Sequence, residues 1–304
     1  MSVRVDEQRV VAGADILVGV PCYKDGSMVD QCLRSLEETG VQLLVVDNGS
    51  APDVRRAISG RGIVLLNNAN RYVNPAWNQL MQWFLGRPAR YDLLVLANSD
   101  LRLVPGWSAK LRAHRQIHRH EQLIFGIDAQ RRRKSAGTFF AMTRRMVTAS
   151  YPIPDDLLIM GGDDFIFHVG IGLGYEEYVV DSVTMSHVER GTYDKSPEVW
   201  DIARRDTNRW NTHVFRDLVP RRIKEFLPDK KTPRAFYEHV HGRYALHLEG
   251  CSVCKQSSVC AACASGAEGG HACNCYQEGG GRGYRLRRLW GLARRTVLWR
   301  ARSW

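Results

Sequence analysis

The sequence predicts an α/β fold: a mostly parallel, Rossmann-like sheet with helices on both faces. Two observations carry that prediction. Apolar runs at 16–21, 41–46 and 93–97 are short, and turn or polar residues close them, as buried strands require. Between the first two lies a stretch, 27–39, whose Met28, Cys32, Leu33 and Leu36 recur at helical spacing. Strand, helix, strand in this rhythm makes a parallel sheet whose ligands bind beyond the strands' carboxyl ends.

Taken in order, the first strand is Ile16-Leu17-Val18-Gly19-Val20-Pro21, closed by its proline, and Gly40 ends the helix that follows. The second strand runs into Asp47-Asn48-Gly49-Ser50. At a ligand edge, the Asp47 carboxylate can accept hydrogen bonds from a base or ribose, although the same four residues also make a turn. The third strand, 93–97, delivers Asn98-Ser99-Asp100. A carboxylate at the tip of a buried strand can hold a metal ion against a phosphate. Further on, Gly161-Gly162-Asp163-Asp164 leads into a helix expected over 165–169, where acids either cap the helix or work in catalysis. Strand-like residues 178–185 precede His187, either structural or a ligand. Arg131-Arg132-Arg133-Lys134 reads as a solvated loop before the apolar run 135–142.

These segments, together with Asn70-Arg71-Tyr72-Val73-Asn74-Pro75-Ala76-Trp77-Asn78, resemble a family 2 glycosyltransferase of the GT-A fold over about residues 14–195. The resemblance implies a nucleotide-diphosphate sugar donor (UDP- or dTDP-linked), a divalent metal, Mn²⁺ or Mg²⁺, and inverting transfer to a hydroxyl. It implies that Pro21 faces the nucleotide and that Asp47 contacts the base. It further implies that Asn70 and Asn78 shape the donor pocket, and that Asp100 and His187 hold metal or diphosphate. Asn98 stands where the family has the first acid of its metal triplet. Asp163 and Asp164 match the family's catalytic acid pair, with Asp164 favoured as general base. Arg190 would neutralise the departing diphosphate. The departures are Tyr72 and Pro75 where small residues are usual, and Ile166 at a position usually acidic. A GT-A-like binding protein without turnover is the competing class. The first strand lacks the glycine- and arginine-containing loop of a nucleotidyltransferase.

Length and composition extend the plan. A chain of 304 residues holds one large domain and an appendage. The expected division is a catalytic domain over 1–211, a helical extension over 212–250, a cysteine-rich module over 251–276, and a glycine hinge with a basic tail over 277–304. Cys22 and Cys32 read as core or pocket residues. Cys251, Cys254, Cys260, Cys263, Cys273 and Cys275, with His271 nearby, suit structural Zn²⁺, with two zinc ions, an iron–sulfur cluster or disulfides as alternatives. The net charge is +11, and the tail 282–304 holds arginines and no acid. Read as a helix, it carries a stripe of Leu286, Trp290, Ala293, Val297 and Trp304. That pattern fits an anionic membrane surface, nucleic acid, or docking on its own domain. The polar start and the absence of a long apolar run predict a cytoplasmic chain, peripheral to a membrane if the tail binds one. The acceptor would be a glycan, a lipid-linked molecule, a nucleic acid or a protein.

Overall fold

The computed structural model describes residues 4–87, 90–120, 122–130, 133–135, 137–187 and 197–227. All of them fall within one compact unit, Met1–Asp229. Arg190, the cysteine module and the basic tail lie outside these residues.

The parallel half of the sheet contains the three strands read from the sequence and one more. β2 (Ile16–Cys22), β3 (Val41–Asn48), β4 (Ile63–Asn67) and β5 (Leu93–Ala97) pair in parallel, with β2 between β3 and β5. β1 (Arg4–Glu7) adds antiparallel to β4. Beyond β5 the sheet departs from the mostly parallel expectation. β9 (Phe139–Thr143) runs antiparallel to both β5 and β7 (Gln122–Asp128), while β8 (Arg133–Lys134) pairs β7. The link from β7 to β9 is too short for the crossover that parallel neighbours need, so the chain returns antiparallel. β10 (Glu176–His187) then lies parallel to β7 and antiparallel to β6 (Leu101–Leu103), which forms the far edge. The register of β10 against β7 shifts between Val179 and Thr184.

Helices cover both faces. On one face, Ile16, Val18 and Val20 join α1 (Gly26–Leu36) and α4 (Trp107–Ile117) in one core through Val29, Cys32, Leu33, Leu36, Trp107 and Leu111. On the other face, Gly19 lets Leu80 of α3 (Val73–Leu85) approach so closely that an added Cβ would stand 2.8 Å from it. Alternation along β9 serves both layers. Phe139 meets Trp107 edge-on at 5.7 Å, and Phe140 meets Trp77 of α3 at 5.6 Å. Each such side chain, fully buried, contributes about 1.5–3 kcal/mol of apolar transfer.

Two local expectations change. Val29, not Met28, occupies the buried face of α1, and the helix stops at Leu36 rather than reaching Gly40. Glu38 leaves the helix because its carboxylate accepts the Gly106 and Ser108 N–H groups, capping α4 instead. α6 (Gly162–Gly172) begins three residues earlier than expected, so both aspartates lie inside its first turn. α5 (Arg144–Ser150) and α6 pack together. After position 196, α7 (Pro197–Arg209), a π-helical segment (Trp210–Leu218) and α8 (Val219–Phe226) follow without a break. Position 211, the expected domain boundary, falls inside that run. Among the described residues, no helix is long and apolar enough to cross a membrane.

Candidate active site

The carboxyl ends of β2, β3 and β5 line one sheet edge, and the predicted donor residues gather along it. At the tip of β3, Asp47 is buried at 1% exposure. Its Oδ1 accepts the Ser50 N–H at 2.8 Å, so the turn reading holds for that oxygen. The turn closes because Gly49 has φ +73 and lies so near Ala69 that a Cβ would stand 2.7 Å from its Cα. Asp47 Oδ2 is spared by the turn. It is buried, without a hydrogen-bond partner among the described residues, and 3.3 Å from the exposed Arg55 Nε. Pro21 is buried one residue before the end of β2.

The loop from Asn67 to α3 is set by a buried amide network. Asn67 and Gln79 exchange two hydrogen bonds, Asn67 Nδ2 also donates to Asn48 Oδ1, and Asn48 Nδ2 donates to the Tyr72 carbonyl at 3.1 Å. Asn70 Oδ1 accepts the Tyr72 N–H at 2.9 Å. Tyr72 itself has φ 67 and ψ −175, a region that side chains other than glycine rarely enter, at a cost of about 1–3 kcal/mol. A tyrosine at this glycine-like position therefore carries backbone strain beside the donor edge. Asn78 spends its amide on the Ile153 backbone, donating at 2.9 Å and accepting at 2.8 Å, so it holds the wall of the site rather than offering a free group.

Asp100 and His187 come together although the chain separates them widely. β6 begins immediately after Asp100, and its antiparallel pairing sets His187 opposite Leu101. His187 Nε2 stands 3.2 Å from Asp100 Oδ1, both side chains being largely buried at 12% and 15% exposure. Neither atom has a hydrogen bond among the described residues, and His187 Nδ1 has none either. Two buried donor atoms so close, yet not aligned to bond each other, suit a divalent cation. Neighbouring octahedral ligands at about 2.1 Å from the ion stand about 3 Å apart. Among the described residues, no group of three or more His, Cys, Asp or Glu residues is arranged to hold a metal ion. Asn98 is not in that pair, because its Nδ2 donates to the Gly137 carbonyl at 3.2 Å. Below it, Cys32 Sγ donates to the Asn98 carbonyl at 3.3 Å. Burial, and next the Asp100 charge, push the Cys32 thiol up, and burial does the same to Cys22, whose other neighbours are Cys32 and Asp47. Both cysteines therefore stay protonated and are poor nucleophiles.

Gly161, at φ +77, turns the chain into α6, and Phe165 N–H donates to its carbonyl at 2.8 Å. Asp163 is buried at 7% exposure, whereas Asp164 is half-buried. Ile166 is fully buried in the same helix, where an acid would meet only the core. Two further residues hold this turn, and the sequence did not single them out for it. Asn74 donates from its backbone to the Leu158 carbonyl at 3.0 Å and from Nδ2 to the Met160 carbonyl at 3.2 Å. Asp206, on α7, accepts backbone N–H groups from Leu158, Ile159 and Met160. Asp206 follows Arg204-Arg205 in a stretch that matches no motif, so nothing in the sequence marked it. Lys134, of the basic run, pairs with Glu177 at 3.1 Å on the surface.

The α/β sheet thus carries acids at its strand tips and a largely buried Asp100–His187 pair. Residues 17–152 match the family model described as Glycosyl transferase family 2. That match includes Asp47, Asn78 and Asp100 and ends before Asp163 and His187. No curated protein matches the chain in sequence. Among solved structures, the chain is similar to the crystal structure of GalNAc-T7 with UDP, GalNAc and Mn²⁺. The TM-score is 0.52 at 13% identity, covering 76% of this chain and 58% of that one. The likeness is one of fold, and the chain spans just over half the length of that relative. A glucosyl-3-phosphoglycerate synthase from Mycobacterium tuberculosis, in complex with Mn²⁺, UDP and glucosyl-3-phosphoglycerate, is similar at TM-score 0.48 and 16% identity. It covers 64% of this chain and 78% of that one.

Proposed function

We propose that this chain transfers a sugar, with inversion, from a nucleotide-diphosphate donor to an acceptor hydroxyl. One observation carries the reading: three buried, unsatisfied groups, on Asp47, Asp100 and His187, stand at strand ends where the fold binds ligands. Asp47 Oδ2 would accept a base N–H, as from a uracil ring. Asp100 and His187 would hold Mn²⁺ or Mg²⁺, and the relative GalNAc-T7 was crystallised with UDP and Mn²⁺. The bound cation would supply positive charge to the leaving diphosphate. Asp164 would act as general base, because it is the more accessible of the two acids. Its carboxylate takes the acceptor hydroxyl proton as that oxygen bonds to the anomeric carbon. The bond from that carbon to the diphosphate oxygen breaks, and the nucleoside diphosphate leaves with the electron pair. Asp163, buried behind it, stabilises the start of α6.

Thermal melting with nucleotides and nucleotide sugars, with and without Mn²⁺, tests this. Ligand at about a hundred times its dissociation constant adds about 2.7 kcal/mol to the folded state. A shift with UDP or another diphosphate that needs Mn²⁺ is the expected result, and no shift with any nucleotide overturns the reading.

A further inference from the structure

We infer that Asp206 is a positioning residue for the general base, so that helix α7, outside the stretch matched to the family, belongs to the catalytic machinery. The inference rests on the glycosyltransfer reading of the site. Asp206 is fully buried, at 0% exposure, on the inner side of α7. Its Oδ2 accepts three successive backbone N–H groups, Leu158 at 2.9 Å, Ile159 at 2.6 Å and Met160 at 3.1 Å. Its Oδ1 meets Arg205 Nη2 at 2.9 Å. Three amides drawn onto one oxygen fix the backbone far more tightly than a loop's own contacts do, since bonds to an ionised acceptor are about twice as strong as neutral ones. The clamped residues run directly into Gly161-Gly162-Asp163-Asp164.

The opposite side of the same turn is held from the donor wall. Asn74, buried at 1% exposure at the start of α3, takes the carbonyls of Leu158 and Met160 while Asp206 takes the N–H groups. One short segment is thus gripped by an amide from the donor side and a carboxylate from α7. Asp164 follows a few residues later, so its direction is set by both grips. A base displaced by about 1 Å loses about a hundredfold in rate while the binding groups elsewhere stay intact. Asp206 lies on a different element from Asp47, Asp100 and His187, so its loss should separate turnover from nucleotide binding.

The test is the variant Asp206→Asn, which keeps the shape and offers at best one neutral oxygen to the three amides. Release of UDP from a panel of UDP-sugars is measured with Mn²⁺, alongside the affinity for UDP–Mn²⁺ by calorimetry. Asp201→Asn, on the exposed side of the same helix, is the control expected to leave both unchanged. The expected result is a fall in kcat of at least about tenfold with UDP affinity within about twofold of wild type. A folded variant with wild-type kcat, or one losing affinity and kcat together, overturns the inference. If Asp206→Asn does not fold, Arg205→Ala carries the test. A severalfold fall in kcat at constant UDP affinity then supports the clamp, and no change sinks it. A wild-type protein that binds UDP–Mn²⁺ but turns over no donor overturns the transfer reading itself, and the inference with it.

Discussion

Asp47 illustrates how one side chain serves folding and recognition at once. Its Oδ1 closes the turn through Ser50, which any Asn could also do, so the carboxylate is needed only for Oδ2. Asp47→Asn should therefore fold normally while presenting an amide N–H where a base N–H must donate. A hydrogen bond to a charged acceptor contributes about 1.5–3 kcal/mol, so UDP affinity should fall by about ten- to a hundredfold in calorimetry at an unchanged melting temperature. At this scale the sequence was partly legible. Asp47 and Asp100 stand at strand tips, and a strand tip can be read from an apolar run. Asn78 was placed at the donor pocket by resemblance, yet its amide is consumed by Ile153. Which atoms of a side chain remain free depends on partners brought from distant parts of the chain, and no local pattern records them.

Between residue and molecule, the turn ahead of α6 is the element on which the chemistry depends most. Gly162 needs no unusual backbone angle there, but a Cβ would stand 2.1 Å from Asn74 Oδ1. Gly162→Ala must push Asn74 away, loosening its grip on Leu158 and Met160. The expected cost is about 1–3 kcal/mol of stability, read in a denaturant melt, together with loss of UDP release. The Gly161-Gly162 pair was visible in the sequence as a lead-in to a helix. The reason for the second glycine was not, because Asn74 lies on another element. Likewise the parallel strands β2, β3 and β5 were legible from their apolar runs, whereas β4 was not singled out. The antiparallel return of β9 follows instead from the length of the link before it.

For the molecule as a whole, acid sensitivity should begin before the carboxylates titrate. Burial, ahead of the charges nearby, holds His114 below the ordinary histidine value of 6.5. The unfolded chain therefore takes up that proton first, and protonation favours unfolding. Stability is complete above the unfolded value and declines as pH falls below it. The melting temperature should drop as pH falls below about 6.5, and His114→Gln should shrink that drop. Asp30, Asp53 and Glu176, all held below their ordinary values by hydrogen bonds, add their losses only in stronger acid.

The shifted register in β10 has a bearing on how this chain can vary in length. Five residues of β10 advance, from Val179 to Thr184, while β7 advances from Phe125 to Ile127. The slack sits just upstream of His187 and decides the phase with which the strand arrives opposite Leu101. Since side chains alternate sides along a strand, losing one residue from this slack would turn the imidazole to the other side of the sheet. Losing two would bring it back. Length change here is tolerated by parity rather than by amount, a constraint invisible to any count of substitutions.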